Sequence, residues 1–288
     1  MLPTPIASDR PAPPQPGELT APIVGASPMI VARGLTKQFI GGSGVFDIDL
    51  TVPRGGLFGF IGPSGCGKTT TVRLLTGIYE PSAGGVSVMG SHPLRFTQQQ
   101  RSRIGYMPQH SVLNPDLTVW ENLNFFTSVY GMNFRRKDRL MELLEFVELV
   151  EHRDKLVRQI SGGMQRRVGL AATLVHSPDL LFLDEPTAGI DPVLRRKFWD
   201  HFKQLQSEGR TLFVTTQYVG EAVYCDLVGV MADGYLRVLD TPDGLRRRAQ
   251  GGADAVDITT EVRLDAATLG QLLTVEGVKS ISRVANTS

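Results

Sequence analysis

The sequence predicts an α/β fold, because short apolar runs alternate with helical patterns from about Met29 onward. Several runs are apolar without interruption, as in Leu180-Leu181-Phe182-Leu183, which is typical of strands in a sheet that is buried on both faces. A glycine-rich segment from Gly62 to Thr70 lies between one such run and a helical pattern. These three observations together favour a sheet that presents a binding loop at the end of a strand.

Eight apolar runs predict the strands, and two patterns with clear starts predict helices. One helix follows Gly67, and another runs from Pro192 to Gln206 with proline in its first turn. A helical insertion is predicted between about 117 and 176, and one face of its second helix carries an apolar stripe that we interpret as core. That stripe consists of Leu140, Leu143, Leu144, Val147 and Val150. The predicted strands are Met29–Ala32, Val45–Val52, Leu57–Ile61, Gly85–Val88, Ile104–Met107, Leu180–Asp184, Thr211–Thr215 and Leu227–Met231.

The two ends of the chain differ from the region between them. Residues 1–28 contain eight prolines and lack an apolar stretch, which predicts a disordered tail and not a secretory signal. Residues 248–288 predict a small α+β appendage to a main domain at 29–247. Its predicted strands are Val256–Ile258, Val262–Leu264 and Val278–Val284, with a helix at Ala266–Leu273.

Composition narrows the classes of function. The 288 residues are 41% hydrophobic and 20% charged, as in an ordinary globular protein, and the net charge of +1 gives no general reason to expect a nucleic-acid partner. Two cysteines, Cys66 and Cys225, are too few for a disulfide framework. No stretch approaches eighteen consecutive apolar residues, so no membrane span is expected, and no two histidines have metal-ligand spacing.

The glycine-rich segment matches the phosphate-loop pattern G-x-x-x-x-G-K-[ST] in full. Its glycines allow backbone N–H groups to surround phosphate oxygens, and the following helix adds positive charge at its N-terminus. Lys68 is predicted to reach the β- and γ-phosphates of ATP, and the Thr69 hydroxyl is predicted to bind Mg²⁺. The predicted nucleotide-binding residues here are Gly62, Pro63, Ser64, Gly65, Cys66, Gly67, Lys68, Thr69 and Thr70.

Cys66 lies inside this loop at a helix N-terminus, a position that lowers the pKa of a thiol. We therefore expect alkylation of Cys66 to block nucleotide binding, and bound ATP to protect the thiol.

A second motif delivers two carboxylates at the end of an apolar strand. Asp184 and Glu185 follow Leu180-Leu181-Phe182-Leu183, and ligands of open α/β sheets bind at that end of the strands. Asp184 is suited to hold Mg²⁺ through a water, and Glu185 is suited to polarise the attacking water. Together with the phosphate loop, these residues predict a site for Mg·ATP.

A third motif, Ser161-Gly162-Gly163, starts a helical pattern that continues to Leu174. Ser161 is predicted to be the N-cap, although two glycines are poor helix formers. Their presence is explained if bare backbone N–H groups must approach an anion.

The phosphate loop, the Ser-Gly-Gly helix start and the Leu-Asp-Glu-Pro strand end resemble the ATP-binding cassette (ABC) ATPases, over roughly Met29 to Arg247. Thr215-Thr216-Gln217-Tyr218 and the stretch from Ser161 to Arg167 look more narrowly like the ATPase subunits of ABC-2-type exporters, a group that includes drug- and antibiotic-efflux subunits. The resemblance implies a P-loop NTPase fold with a mixed sheet core, an antiparallel β subdomain and a helical subdomain.

The resemblance also implies roles for single residues. Phe39 matches the aromatic residue that stacks on adenine, although a core phenylalanine is an alternative. Gln109 matches the glutamine that senses Mg²⁺ and the γ-phosphate while touching the membrane partner. Asp191 matches the loop that crosses a dimer interface, and Ser161-Gly162-Gly163 would serve the ATP held by the opposite subunit. The implied partners are therefore a second ABC subunit, identical or different, and a separate integral-membrane permease. This places the chain peripherally on the cytoplasmic face of the membrane.

Two residues depart from the family pattern. Met164 stands where many members carry glutamine, and we expect little effect from this change. Gln217 replaces a histidine that contacts the γ-phosphate; glutamine donates a neutral hydrogen bond but carries no charge and shuttles no proton. Because positioning and electrostatics dominate phosphoryl transfer, we expect hydrolysis to survive.

Two other functions fit part of the pattern. A soluble ABC protein acting on nucleic acid or the ribosome usually carries two cassettes or long coiled-coil arms, whereas this sequence contains one phosphate loop. A module that binds ATP as a switch without hydrolysis is suggested by Gln217, but Glu185 argues against it because such a module needs no placed base.

Overall fold

The computed structural model describes residues 27–110, 112–132 and 136–249. The chain divides into two units between Leu245 and Arg246, and the first unit contains the predicted site. The predicted tail at 1–28, apart from its last two residues, lies outside the described residues, and so do the predicted strands and helix of the appendage beyond residue 249. The domain boundaries proposed from the sequence therefore stay predictions.

The described residues form two sheets. Five parallel strands and one antiparallel edge strand make a mixed sheet in the order β5-β6-β7-β3-β8-β9, and three antiparallel strands make a second sheet in the order β2-β1-β4. The strands are β1 Ile30–Gln38, β2 Gly44–Val52, β3 Leu57–Ile61, β4 Ala83–Val88, β5 Ile104–Met107, β6 Leu180–Asp184, β7 Thr211–Thr216, β8 Leu227–Ala232 and β9 Tyr235–Asp240.

Helices cover the sheets and form the insertion predicted between 117 and 176. A Thr118–Glu121 capping box fixes the start of the first inserted helix, because each side chain bonds the other's backbone N–H. Leu140, Leu143 and Leu144 of the second inserted helix are core as predicted. The helix ends at Phe146, so Val147, which is also core, and the partly buried Val150 follow it and do not lie on its face. The helices are α1 Lys68–Leu75, α2 Gln98–Arg101, α3 Val119–Val129, α4 Lys137–Phe146, α5 Gly162–Leu174, α6 Pro192–Ser207 and α7 Pro242–Ala249.

The mixed sheet has a hydrophobic core on each face. Along β6, Leu181 and Leu183 belong to the core that contains the inserted helices and α6, while Leu180 and Phe182 belong to the core beneath α1 and the antiparallel sheet. Successive side chains of a strand point to opposite faces, so a strand between two cores must be apolar throughout. This arrangement confirms the interpretation of the uninterrupted apolar runs.

Two strands differ from the prediction. β1 continues six residues beyond Ala32, because Gly34 has a φ of 54° and the pairing register shifts there, so the alternation of side chains is interrupted although the strand is not. β9 was not predicted; each of its six residues is only half-buried at the edge of the sheet, and it therefore lacks a clear apolar face.

The parallel strands bring the predicted motifs together. β3, β5, β6 and β7 run in the same direction, so the loops that follow them leave the same edge of the sheet. Those loops carry the phosphate loop, Gln109, Glu185 and Gln217.

Candidate active site

The phosphate loop runs from the end of β3 to the start of α1. Gly65 and Gly67 have φ values of 79° and 111°, which glycine adopts without strain. A Cβ atom added at Gly62 would lie 2.3 Å from the backbone oxygen of Met231, whereas one at Gly65 would meet no atom within 4 Å. The loop is therefore packed against β8 at its start and open at Gly65, where a phosphate can approach the backbone.

Lys68 is the first residue of α1 and is almost completely buried. Its Nζ atom donates hydrogen bonds to the backbone oxygens of Gly62 at 2.8 Å and Pro63 at 3.0 Å. The same atom lies 3.4 Å from Oε1 of Glu185, in an ion pair whose side chains are 4% and 7% exposed. The ammonium group is thus held between the phosphate loop and the end of β6.

Asp184, the last residue of β6, has a fully buried side chain. Its Oδ1 atom accepts a hydrogen bond of 2.5 Å from the Thr215 hydroxyl on β7. Its Oδ2 atom is buried and has no hydrogen-bond partner in the part of the chain that the structure describes. A buried carboxylate oxygen without a partner is costly, and a cation or a cation-bound water would satisfy it. The residue therefore fits the predicted Mg²⁺ role.

Glu185 follows with a φ of 53°, which is uncommon for a residue other than glycine. Its backbone N–H donates to the backbone oxygen of Thr215 at 3.1 Å and to the Thr215 hydroxyl at 2.9 Å, and these bonds hold the conformation. Backbone strain of this kind is often found at functional sites.

Gln217 lies just beyond β7 and contacts Glu185 directly. Its Nε2 atom donates a hydrogen bond of 2.9 Å to Oε2 of Glu185. The carboxylate of Glu185 is thus held on one oxygen by the Lys68 ammonium and on the other by the Gln217 amide. The structure brings these three predicted residues into one contiguous group.

Arg166 was not singled out from the sequence, although it lies in the Ser161–Arg167 stretch. One guanidinium nitrogen donates to the backbone oxygen of Asp184 at 3.1 Å, and another donates to that of Gln109 at 3.4 Å. Burial lowers the pKa of Arg166, and the charges of Glu185 and Asp184 oppose this effect. Arg166 therefore links α5 to the Gln109 loop and to the end of β6. The only sequence signal for this role was the arginine pair Arg166-Arg167 at the end of the stretch that begins at Ser161.

Ser161 is the N-cap of α5, as predicted, and its hydroxyl accepts a hydrogen bond of 3.3 Å from the Met164 N–H. A Cβ atom at Gly162 would meet nothing within 4 Å, and one at Gly163 would lie 3.5 Å from the backbone oxygen of Gly189. Among residues 27–110, 112–132 and 136–249, no hydrogen bond or ion pair joins 161–163 to the phosphate loop. Ser161 and Gly162 are exposed, and Gly163 is partly buried.

Asp191 caps the next helix, α6. Its Oδ1 atom accepts a hydrogen bond of 3.0 Å from the Leu194 N–H, and this bond lowers the pKa of the exposed carboxyl. Asp191 thus holds the end of the loop that begins after Glu185.

Phe39 follows β1 and is only half-buried. Its ring packs edge-on against Tyr79, with 5.6 Å between the ring centroids, and Nζ of Lys37 lies 5.8 Å from its centroid. Because Phe39 does not belong to the buried core, the core alternative is not supported. Its predicted role in stacking on adenine stays a prediction.

The expectation that the loop position lowers the pKa of the Cys66 thiol was wrong, whereas the expected effect of alkylation on nucleotide binding stays a prediction. Cys66 is 5% exposed, and burial raises the pKa of its thiol more than the nearby Lys68 lowers it. Desolvation disfavours the thiolate, and this effect outweighs the proximity of the helix N-terminus.

Comparisons with known proteins identify the family. A protein-family model described as "ABC transporter" matches residues 45–188, from β2 to the loop after Glu185. The daunorubicin resistance ATP-binding protein DrrA3 of Streptomyces coeruleorubidus is 39% identical over 258 residues, which are 88% of this chain and 80% of that protein. The chain belongs to the ABC transporter family.

Other similar proteins include the Nod factor export ATP-binding protein I of Cupriavidus pinatubonensis, 37% identical over 82% of this chain and 73% of that protein. The probable multidrug ABC transporter ATP-binding protein YbhF of Escherichia coli is 37% identical over 77% of this chain, but the match spans only 38% of YbhF. Among solved structures, an ATP-binding subunit of an ABC transporter superposes with a TM-score of 0.71 at 26% identity, covering 79% of this chain and 95% of the other.

Family membership confirms the resemblance and the fold predicted from the sequence, and with them the prediction of an ATP-binding ATPase of the ABC family. The roles of the single site residues stay predictions. Within the described residues, no helix has both the length and the apolar character needed to cross a bilayer.

Proposed function

We propose that the chain is the ATP-binding and hydrolysing subunit of an ABC-type exporter, and that it couples hydrolysis to transport by a separate membrane permease. The contiguous group of Lys68, Glu185 and Gln217 beside the buried Asp184 carries the proposal. The names of the relatives support the exporter role, because two of them are export and drug-resistance ATP-binding proteins.

ATP binding uses the phosphate loop and Phe39. The backbone N–H groups around Gly65 would face the β- and γ-phosphates, and Lys68 would exchange its contacts with Gly62 and Pro63 for contacts with phosphate oxygens. The half-buried ring of Phe39 stacks on adenine.

Mg²⁺ would be held by Asp184 and Thr69, with Gln109 approaching from the end of β5. Oδ2 of Asp184 is the buried oxygen that lacks a partner in the described chain, and Thr69 lies next to Lys68 in the phosphate loop. When bound, the ion neutralises charge on the β- and γ-phosphate oxygens.

Glu185 accepts a proton from the attacking water during hydrolysis. The oxygen of that water bonds to the γ-phosphorus, and the bond from this phosphorus to the bridging oxygen of ADP breaks. General base catalysis of this kind contributes about 10²–10⁴-fold in rate. Gln217 acts through Glu185, because its amide holds one oxygen of that carboxylate. This contact supports the proposal that glutamine serves in the place of histidine.

A second ABC subunit completes the site. Residues 161–163 form an exposed helix start without a bond to the phosphate loop of their own chain, and they would bind the γ-phosphate held by the other subunit. Asp191 lies in the loop that crosses the interface. ATP would thus join two subunits head to tail, and no nucleic-acid partner is proposed.

The permease is proposed to contact the Gln109 loop and the helical subdomain at about 117–176. A cavity of about 210 Å³ lies between Gln109, α3 and α5, and its lining includes Phe126, Tyr130 and Arg166. Val112, Phe125 and Val129 are exposed apolar side chains in the same region of the chain. This apolar surface supports a peripheral position on the cytoplasmic face of the membrane. The proposed chain organisation is an ATPase domain at 29–247 with a tail at 1–28 and an appendage at 248–288.

The proposal is tested by purifying the tagged chain from its own membranes in mild detergent, together with a Lys68→Met variant as a control for ATP dependence. Co-purification of a polytopic membrane protein in defined stoichiometry, with phosphate release by the wild-type complex but not by the variant, supports the proposal. Recovery with ribosomes or nucleic acid in the absence of a membrane protein contradicts the transport role.

A further inference from the structure

Glu221 is a buried carboxylate that the proposed mechanism does not use. It lies in the 3₁₀ turn Val219–Tyr224, four residues beyond Gln217, and only 3% of the residue is exposed. Acidic side chains are seldom buried this deeply unless they are paired. The partners of Glu221 therefore indicate why it is there.

Two residues from outside the turn approach the same oxygen of Glu221. The Thr187 hydroxyl donates a hydrogen bond of 2.7 Å to Oε1, and Nε of Arg195 lies 3.6 Å from Oε1. Oε2 is buried and unpartnered within residues 27–249 as far as they are described. A buried charge with one incomplete ion pair contributes little net stability compared with apolar packing. Stability alone therefore does not account for the carboxylate.

Arg195 extends these contacts in two directions. Its Nη2 atom donates a hydrogen bond of 3.0 Å to the backbone oxygen of Ile190, the residue before Asp191. Its guanidinium carbon lies 4.2 Å from the centroid of the Tyr218 ring, the residue after Gln217. The Arg195 side chain therefore contacts both Ile190, which precedes Asp191, and Tyr218, which follows Gln217.

We infer that Glu221, with Thr187 and Arg195, is a positioning residue that joins the Asp191 loop to the segment carrying Gln217. Thr187 and Ile190 lie in the loop between Glu185 and α6, while Tyr218 and Glu221 lie in the segment after β7. A displacement of the Asp191 loop by a second subunit is thereby transmitted to Gln217, and through its amide to the Glu185 carboxylate. This inference rests on the proposed function, which assigns roles to Asp191 and Gln217.

The first test measures the link without hydrolysis. Thr187→Val removes the hydroxyl that bonds Glu221 while keeping the shape of the side chain, and hydrogen exchange is followed in the full-length chain. We expect faster amide exchange in residues 217–224, which lie across the link from the mutation, and restoration by Thr187→Ser. Wild-type exchange at 217–224 in the valine variant, or no restoration by serine, overturns the inference.

The second test measures catalysis by the purified transporter complex. Thr187→Val and Arg195→Met should lower kcat by up to about tenfold, because a small misplacement of Gln217 cannot cost more than its loss, with KM for ATP unchanged. Lys197→Met is the matched control, since Lys197 lies on the same helix but pairs with Glu148 at the surface. In a Gln217→Ala background the same substitutions should have little further effect, because coupled residues are not additive.

An equal loss of kcat in the wild-type and Gln217→Ala backgrounds overturns the link to Gln217. A wild-type complex that releases no phosphate contradicts the proposed hydrolysis instead, and the exchange measurement still decides the inference.

Discussion

The hydrogen bond from Gln217 to Glu185 allows the cost of losing Gln217 to be worked out. The donor is neutral, the acceptor is a carboxylate, and Nε2 and Oε2 are 2.9 Å apart. Hydrogen bonds to charged groups are worth about 1.5–3 kcal/mol, and the exposed position of Gln217 favours the lower end of that range. Since about 1.4 kcal/mol corresponds to a tenfold change in rate, we expect Gln217→Ala to lower kcat about tenfold.

The assay is steady-state phosphate release by the purified complex as a function of ATP concentration. KM should stay close to the wild-type value, because the Gln217 amide bonds Glu185 and not the phosphate loop. Gln217→Glu should lose more activity than Gln217→Ala, because it places a second carboxylate against Glu185. Gln204→Ala, at an exposed glutamine of α6, is the matched control. A Gln217→Ala enzyme with the kcat of the wild type would refute the positioning role.

Two further predictions concern buried titratable groups. Burial raises the pKa of the Cys66 thiol, and it raises that of Cys225 to about 12. Alkylation of both thiols at pH 8 should therefore be slow in the native chain without ATP and fast only in denaturant. Rapid labelling of the native chain, measured by mass spectrometry, contradicts this. Burial also lowers the pKa of His176 below its unfolded value of 6.5, so the unfolded chain binds more protons and stability should fall as the pH drops below 6.5. His176→Phe preserves a ring against Tyr130 and should weaken the pH dependence of the free energy of unfolding, measured by chemical denaturation. The same pH dependence in the wild type and in His176→Phe would contradict this prediction.

The motifs predicted from the sequence were local, and these were placed well. The strand Leu180–Asp184 and the phosphate loop are each contained in a few consecutive residues, so apolar runs and glycine spacing were sufficient to locate them. The edge of the sheet that carries the site was predicted from the rule that ligands bind at the carboxyl ends of parallel strands.

Contacts between distant segments could not be predicted in this way. The bonds of Arg166 to Asp184 and Gln109, and of Glu221 to Thr187, join residues 18 to 57 positions apart, and no local pattern marks them. The prediction of a lowered pKa for the Cys66 thiol was wrong for the same reason, because the depth of burial depends on how the whole chain packs.

The most direct test of the central claim compares the wild-type complex with Glu185→Gln, measuring ATP binding and phosphate release on the same samples. The substitution keeps the shape of the side chain and removes the base, while the phosphate loop keeps its backbone N–H groups. Glu208→Gln, at an exposed glutamate of the same chain, is the matched control. We predict that Glu185→Gln binds ATP as tightly as the wild type and that its kcat is lower by about 10²–10⁴-fold. Phosphate release by Glu185→Gln at the wild-type rate would contradict the assignment of this site as the centre of ATP hydrolysis.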